Sequence, residues 1–452
     1  MIESDDGSGV APAVPPRIDL LVCASWVVTV DPQGSVLPDA AVAVHDGGIV
    51  AVGPAVELRA GYDVAEVVDL PGHALVPGLV NAHTHLGMTM FRGVADDLAL
   101  DAFLARLLPA EGEVLTAERV HTATLAAAVE CLRSGTTTAL DMYYFADHGM
   151  RAAASAGMRM IGGPVLLDAA GSGAAPVDAQ LERADSWLAE HPRRPGFRPS
   201  LDPHATYTVT PHHLERVRDL AAAHDALVHI HASETAAEVA SVEGAHGRRP
   251  IGHLDALGLL GPRTVLAHAV HLDDTEVERI AESGAAVAHC PASNLKLASG
   301  VARVPDLLEA GATVALGTDG PASSNDLDVF AAMRLAALLH KGVLGDPELL
   351  PAHQVLRMAT VQGAAALGLD DELGSIEAGK RADLVAVDLD QPHTQPVFDP
   401  VSTLVYAAGR SDVRHVWVDG ERVVRDGRPT RCDLREVTAA LAALGPVVAA
   451  AL

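Results

Sequence analysis

The stretch "VNAHTHLGMTMFRG", residues 80–93, sets two histidines, His83 and His85, directly behind a short apolar run. Residues two apart in an extended strand project from the same face, so the pair can reach one ion together. An H-x-H pair alone is a weak signal, because the chain holds 22 histidines and "HIH" at His229 and His231 repeats the spacing. What gives the pair meaning is the company it keeps at the ends of other strands.

From His73 to Ser375, short apolar runs alternate with Ala/Leu/Glu/Arg-rich stretches, the texture of a parallel sheet with crossover helices. Eight strand candidates end at "VPGLVNAHTH", "TTTALDMYY", "MRMIGGPVLL", "RPSLDPHATY", "ALVHIHASE", "TVLAHAVH", "AAVAHCPASN" and "TVALGTDGP". Helical stretches such as "TAERVHTATLAAAVECLRSG" and "TPHHLERVRDLAAAH" lie between them. Eight such units predict a (β/α)8 barrel of the TIM type. On either side the texture changes. "IDLLVCASWVVTV", "AAVAVHDGGIVAVG" and "EVVDLPG" before it, and "ADLVAVDLD" and "VRHVWVDGERVVRDG" after it, read as short strands, the last a hairpin about Asp419-Gly420. The expected organisation is a disordered arm over 1–17 and a small β-sandwich built from both chain ends, 18–72 and 376–432. The barrel is inserted at 73–375, and a packed terminal helix occupies 433–452.

At 452 residues the chain exceeds the roughly 250 typical of one barrel domain, which leaves room for the second domain. A formal net charge of −27 argues against a polyanionic partner, because nucleic-acid affinity rests on basic groups displacing counterions. The expected partner is a small molecule, with neither nucleic acid nor membrane. Cys23, Cys131, Cys290 and Cys432 form no C-x-x-C, which fits a reducing cytoplasm. The beginning of the chain lacks the basic flank and apolar run of a signal peptide, and "VTAALAALGPVVAAAL" is too short to span a bilayer.

In a barrel of this kind, chemistry gathers at the C-terminal ends of the strands. His83 and His85 close the first expected strand, His204 the fourth, His231 the fifth, His268 the sixth and Asp319 the eighth. Three imidazoles and a carboxylate suit a divalent metal with room for a water. His229 also points inward, but one layer deeper, and is assigned to packing. His289, His212 and His213 read as structural or surface residues. The lysines are Lys296, Lys341 and Lys380, so none on strands two to five can be carbamylated to bridge two metals, and one metal is expected. The H-x-E and P-C-x-x-C signature of deaminases acting on flipped bases is absent.

Together "PGLVNAHTHLGMTMFRGVADDLALDAFL", "HASET", "VLAHAVHL", "HCPASNLKLASG", "LGTDGPASSNDLDVF" and "GSIEAGKRADLVAVD" closely resemble the amidohydrolase superfamily. Within it they resemble the branch containing methylthioadenosine/S-adenosylhomocysteine deaminases and triazine chlorohydrolases. The resemblance implies that His83, His85, His231 and Asp319 bind one metal, usually zinc, with iron(II) also compatible. It implies that Glu234 handles the ring-nitrogen proton and that His268 lies beside the activated water. Asp319 would take that water's proton. Glu111 matches the glutamate that holds ribose hydroxyls, and His204 matches a purine-binding position. Where S-adenosylhomocysteine deaminases carry carboxylate-clamping arginines, this chain has Gly162 and Gln180, with Arg183 one helical turn beyond. The expected activity is hydrolytic removal of the ring amino group from a free adenosine-type nucleoside: adenosine, 5′-deoxyadenosine or methylthioadenosine. Its rivals are the same chemistry on a guanine derivative, pterin or s-triazine, and a non-catalytic scaffold. Family likeness also suggests a homo-oligomer.

Overall fold

A computed structural model of the chain describes residues 15–168 and 175–452. Most of the expected disordered arm therefore lies outside the described residues. The first strands are β1 (Arg17–Val28), β2 (Val36–His45), β3 (Gly48–Pro54) and β4 (Asp63–Pro77). β4 runs through the 72/73 position at which the sequence texture changes, so one strand serves the small domain and leads into the barrel. The barrel strands follow as β5 (Leu79–Thr84), β6 (Thr136–Asp141), β7 (Arg159–Gly162), β8 (Val165–Leu166), β9 (Ser200–Pro203), β10 (Leu227–Ala232), β11 (Thr264–His268), β12 (Ala286–His289) and β13 (Thr313–Leu316). Last come β14 (Leu384–Asp388), β15 (Val413–Val418), β16 (Glu421–Arg425) and β17 (Arg428–Pro429).

The strands of both chain ends hydrogen-bond in the order β17-β16-β15-β14-β4-β1-β2-β3. β15 and β16 form the expected hairpin, with Asp419 at φ +50° and Gly420 at φ +75° in the left-handed region that such a turn requires. Turns from opposite ends of this order meet: a Cβ on Gly47 would lie 2.7 Å from the carbonyl oxygen of Asp419. The sheet thus folds over on itself, enclosing Val22, Val42, Leu75, Leu384 and Trp417 between its layers.

In the barrel, parallel pairs run β5–β6–β7 and β8–β9–β10–β11–β12–β13. β7 and β8 are the two halves of the third strand. They are divided at Gly163-Pro164, where a Cβ on Gly163 would sit 1.7 Å from the carbonyl oxygen of Ser200. Proline then removes a ladder donor while its own carbonyl accepts from Asp202 N–H at 3.0 Å. Counted this way the barrel has eight strands. The ring closes between β13 and β5 through Asp319 N–H to His83 O at 3.0 Å, reinforced by the side chains of Asn81 and Thr318.

The helices that matter for the site are α1 (Leu100–Val114), α2 (Ala117–Arg133), α3 (Ala236–His246), α4 (Leu434–Ala442) and α5 (Gly445–Ala450). α2 starts where Thr116 accepts from Arg119 N–H, and α3 where Thr235 accepts from Glu238 N–H, both side-chain caps. The tail makes two helices rather than one. Pro446 at the second position of α5 has no N–H to continue the ladder of α4, so the chain turns at Ala443–Leu444. α5 touches α1, and its Val448 shares one buried apolar cluster with Phe103, Leu107 and Val114 of α1. Among the described residues no helix is long and apolar enough to cross a membrane.

Candidate active site

The side chains singled out in the sequence converge at the C-terminal mouth of the barrel. His83 lies on β5, where the ladder to β6 is irregular: three steps from Asn81 to Thr84 oppose two from Ala139 to Asp141. A bulge of this sort re-aims a side chain. The strand that starts with Val80 and Ala82 facing the barrel core thereby ends with His83 turned toward the other histidines. His85 follows the strand, His231 stands on β10, His268 ends β11 and Asp319 follows β13. The backbone is held in the left-handed region at Ser233 (φ +55°), His268 (φ +71°) and Asp319 (φ +61°), none of them glycine. Such conformations cost energy and collect where a side chain must be aimed.

Each imidazole is tied from behind. His85 Nδ1–H donates to Met142 O at 2.5 Å, His231 Nδ1–H to His204 O at 2.6 Å, and His268 Nδ1–H to the side-chain oxygen of Asn294 at 2.8 Å. Their Nε2 atoms are left facing inward. Asp319 Oδ2 accepts from the hydroxyls of Ser293 and Ser323, both at 2.6 Å, while Oδ1 lies 3.3 Å from His83 Nε2 and 3.1 Å from His85 Nε2. The donor atoms of His83, His231, His268 and Asp319 all fall within 4.8 Å of one another. In this tightest group His268 takes the place expected for His85, whose Nε2 meets Asp319 instead.

The electrostatics favour a cation here. Burial drives the His83 pKa down to about 3 despite Asp319, so this imidazole is neutral, and its buried Nε2 has no hydrogen bond. Asp319 is itself buried, yet its close contacts with the imidazoles of His83 and His85 hold it well below the usual carboxylate range. An anionic carboxylate beside an orphaned imidazole lone pair is a donor set that a divalent ion satisfies.

Around the cluster opens a cleft lined by His85, His204, His231, His268 and Asp319 and by residues of α1. Glu234 and His268 stand at its inner end, with 4.0 Å between Oε2 and Nε2. Burial pushes the Glu234 carboxyl up to about 7. Burial opposes a His268 cation as well, but the charges of Glu234 and Asp319 outweigh it and raise its pKa. Along one wall the α1 residues Leu100, Phe103, Leu104, Leu107, Leu108 and Glu111 form a stripe at helical spacing. Glu111 is buried, accepts from the Tyr143 hydroxyl at 2.6 Å and is pushed up to about 7 by desolvation. His204 lines the same cleft, its pKa depressed to about 4 by burial and the nearby charge of His85.

A model of the amidohydrolase family matches residues 74–423. The chain belongs to this family. The 5-methylthioadenosine/S-adenosylhomocysteine deaminase of Syntrophobacter fumaroxidans is 46% identical over 422 residues, 93% of this chain and 96% of that protein. The 5′-deoxyadenosine deaminase of Methanosarcina mazei is 40% identical, again over 93% and 96%. An adenosine deaminase from Xanthomonas campestris, solved with zinc bound, superposes with a TM-score of 0.94 at 42% identity, covering 97% of this chain and all of that one.

In this amidohydrolase several contributors escaped sequence reasoning. Tyr143, Asn294, Ser293 and Ser323 act on residues that were found, from positions up to 32 residues away. Glu238 is another: its buried carboxylate accepts from Ser233 N–H at 3.0 Å, Glu234 N–H at 2.7 Å and the Thr206 hydroxyl at 3.3 Å. It thereby fixes the loop that carries Glu234. "HCPASN" and "GPASSND" were visible as motifs, but nothing in spacing alone says which of their polar residues face the site. His229 is buried as expected, yet it also touches His83, with 2.8 Å between Nε2 and Nδ1. Gln180 is spent on the backbone, bonding Leu167 N–H, Leu167 O and Ala175 O. Arg183 is exposed at the rim of an adjoining cleft.

Proposed function

We propose that this amidohydrolase is a zinc-dependent deaminase of free adenosine-type nucleosides whose 5′ substituent is neutral, releasing ammonia from the purine ring. The observation that carries the reading is one cleft with the histidine–aspartate cluster and Glu234 at its inner end and the buried Glu111–Tyr143 pair on its wall. His83, His85, His231 and Asp319 would hold the ion, and its Lewis acidity supplies a water able to act as a nucleophile at neutral pH.

The remaining work falls to the chain. Asp319, steadied by two serine hydroxyls, accepts the proton of the attacking water. Glu234, with its pKa near 7, is protonated often enough to give a proton to the ring nitrogen and basic enough to recover one. His268 donates one N–H to Asn294 and directs the other at the oxygen developing on the ring carbon. Proton delivery to the exocyclic nitrogen expels ammonia and leaves a carbonyl. Glu111 offers an oxygen to ribose hydroxyls while Tyr143 occupies its other side.

Neutral substrates are favoured because Gly162 has no side chain to offer a charged tail and the Gln180 amide is already engaged. The four cysteines are free, in keeping with a reducing cytoplasm. The test is ammonia release by zinc-loaded protein presented with adenosine, 5′-deoxyadenosine, methylthioadenosine, S-adenosylhomocysteine, guanine, a pterin and an s-triazine. The neutral adenosine derivatives should lead in kcat/KM. A lead by guanine, pterin or triazine, with kinetics indifferent to Glu111→Ala, defeats the nucleoside assignment.

A further inference from the structure

His229 stands on β10 two residues before His231, fully buried and one layer deeper in the barrel. Its Nε2 is 2.8 Å from Nδ1 of His83. Its Nδ1 has no hydrogen-bond partner and lies 3.8 Å from Oδ1 of Asp202 on β9, beyond hydrogen-bond length but within ion-pair range. Asp202 is also fully buried, and neither of its oxygens is hydrogen-bonded. Packing alone gives no reason to strand an imidazole nitrogen and a carboxyl side by side, because apolar residues would fill this space without the desolvation cost.

The direction of the contact follows from His83. Its Nε2 faces Asp319, and its Nδ1 faces His229. A histidine that holds a cation through Nε2 keeps its hydrogen on Nδ1, and that hydrogen is donated to His229 Nε2. His229 then carries its own hydrogen on Nδ1, the atom directed at Asp202. We propose that His229 and Asp202 are positioning residues that orient His83 and strengthen its grip on the metal. The inference rests on the reading of His83 as a ligand. It also separates His83 from its neighbours: His85 and His231 lean on backbone carbonyls, which substitution cannot remove, whereas His83 leans on a side chain.

Zinc affinity, measured by competition with a chromogenic chelator, tests this without recourse to turnover. His229→Phe keeps the ring volume and removes the acceptor, and should weaken zinc binding about 10- to 100-fold. His229→Gln restores an acceptor oxygen and should recover most of the loss. Because Asp202 acts through His229, Asp202→Asn should weaken binding in the native background but add nothing to His229→Phe. Native affinity in His229→Phe, or a His229→Gln protein that is folded and equally weak, overturns the proposal. Should His229→Phe fail to fold, Asp202→Asn alone decides: weakened binding upholds the relay and native affinity overturns it. A native protein that takes up no zinc overturns the metal reading beneath it as well, which distinguishes the two failures.

Discussion

Glu111 shows at the residue scale what burying a carboxyl group costs in stability. Its carboxyl ionises near 4.5 in an unfolded chain and near 7 in the fold, because burial outweighs the Tyr143 bond and the charge of His85. Below about pH 4.5 it is protonated in both states and there is no penalty. Between about pH 4.5 and 7 the unfolded chain releases this proton while the folded protein keeps it, so up to about 3 kcal/mol of stability is lost across that range and the penalty is constant above it. Glu111→Gln stays neutral throughout. Its thermal unfolding midpoint should therefore move above the native one between pH 5 and pH 8 while KM for nucleosides rises, and parallel midpoints across that range would count against the assignment of the shift to Glu111. For Glu234→Gln, zinc content should persist while kcat falls about 10²–10⁴-fold, the usual worth of a positioned proton carrier; metal analysis beside single-turnover rates checks both halves. Glu234 was legible through the family resemblance, which implies a proton-carrying glutamate shortly after the third histidine, here His231. Asn294 and Tyr143 were not, since each earns its role by touching a residue 26 or 32 positions away, and only the barrel makes those positions neighbours.

Elements decide how firmly those residues are presented. The eight barrel strands could be read from apolar runs, because a strand buried on both faces leaves that trace in composition. Three features depart from the expected elements. The bulge in β5 is a mismatch with β6, and the break between β7 and β8 answers to the backbone of Ser200, so both belong to strand pairs rather than to one strand. The third is the tail, where Pro446 divides one expected helix into α4 and α5. That division matters to the site. α5 reaches α1, and α1 carries both the apolar stripe of the cleft and Glu111. Val448→Asp would set a charge among Phe103, Leu107 and Val114, loosening α1 without touching the metal cluster. A loss of about 1 kcal/mol in ordering the helix corresponds to about fivefold in KM. We expect KM to rise by that order with zinc content and kcat near native, and a fall in kcat alone would show that the tail acts elsewhere.

For the whole molecule the decisive fact is where the ring of strands is joined. His83 belongs to the first barrel strand, His231 to the fifth and Asp319 follows the eighth, so an ion held among them ties together parts of the chain more than 200 residues apart, as the His83–Asp319 contact already does. The same seam, β13 against β5, relies on Asp319 N–H to His83 O and on the Asn81–Thr318 side chains. A ligand that binds only the folded state stabilises it by RT ln(1 + [L]/Kd), about 2.7 kcal/mol at a hundredfold excess over Kd. Zinc should therefore act on fold and activity together. Stripping it with a chelator should abolish ammonia release and lower the unfolding midpoint, and returning zinc should restore both, the midpoint continuing to climb with the logarithm of free zinc after activity has saturated. The two readouts separate the possibilities: activity that returns while the midpoint stays flat would place the ion at a site formed within one segment of chain, and not across the seam between the first and last strands.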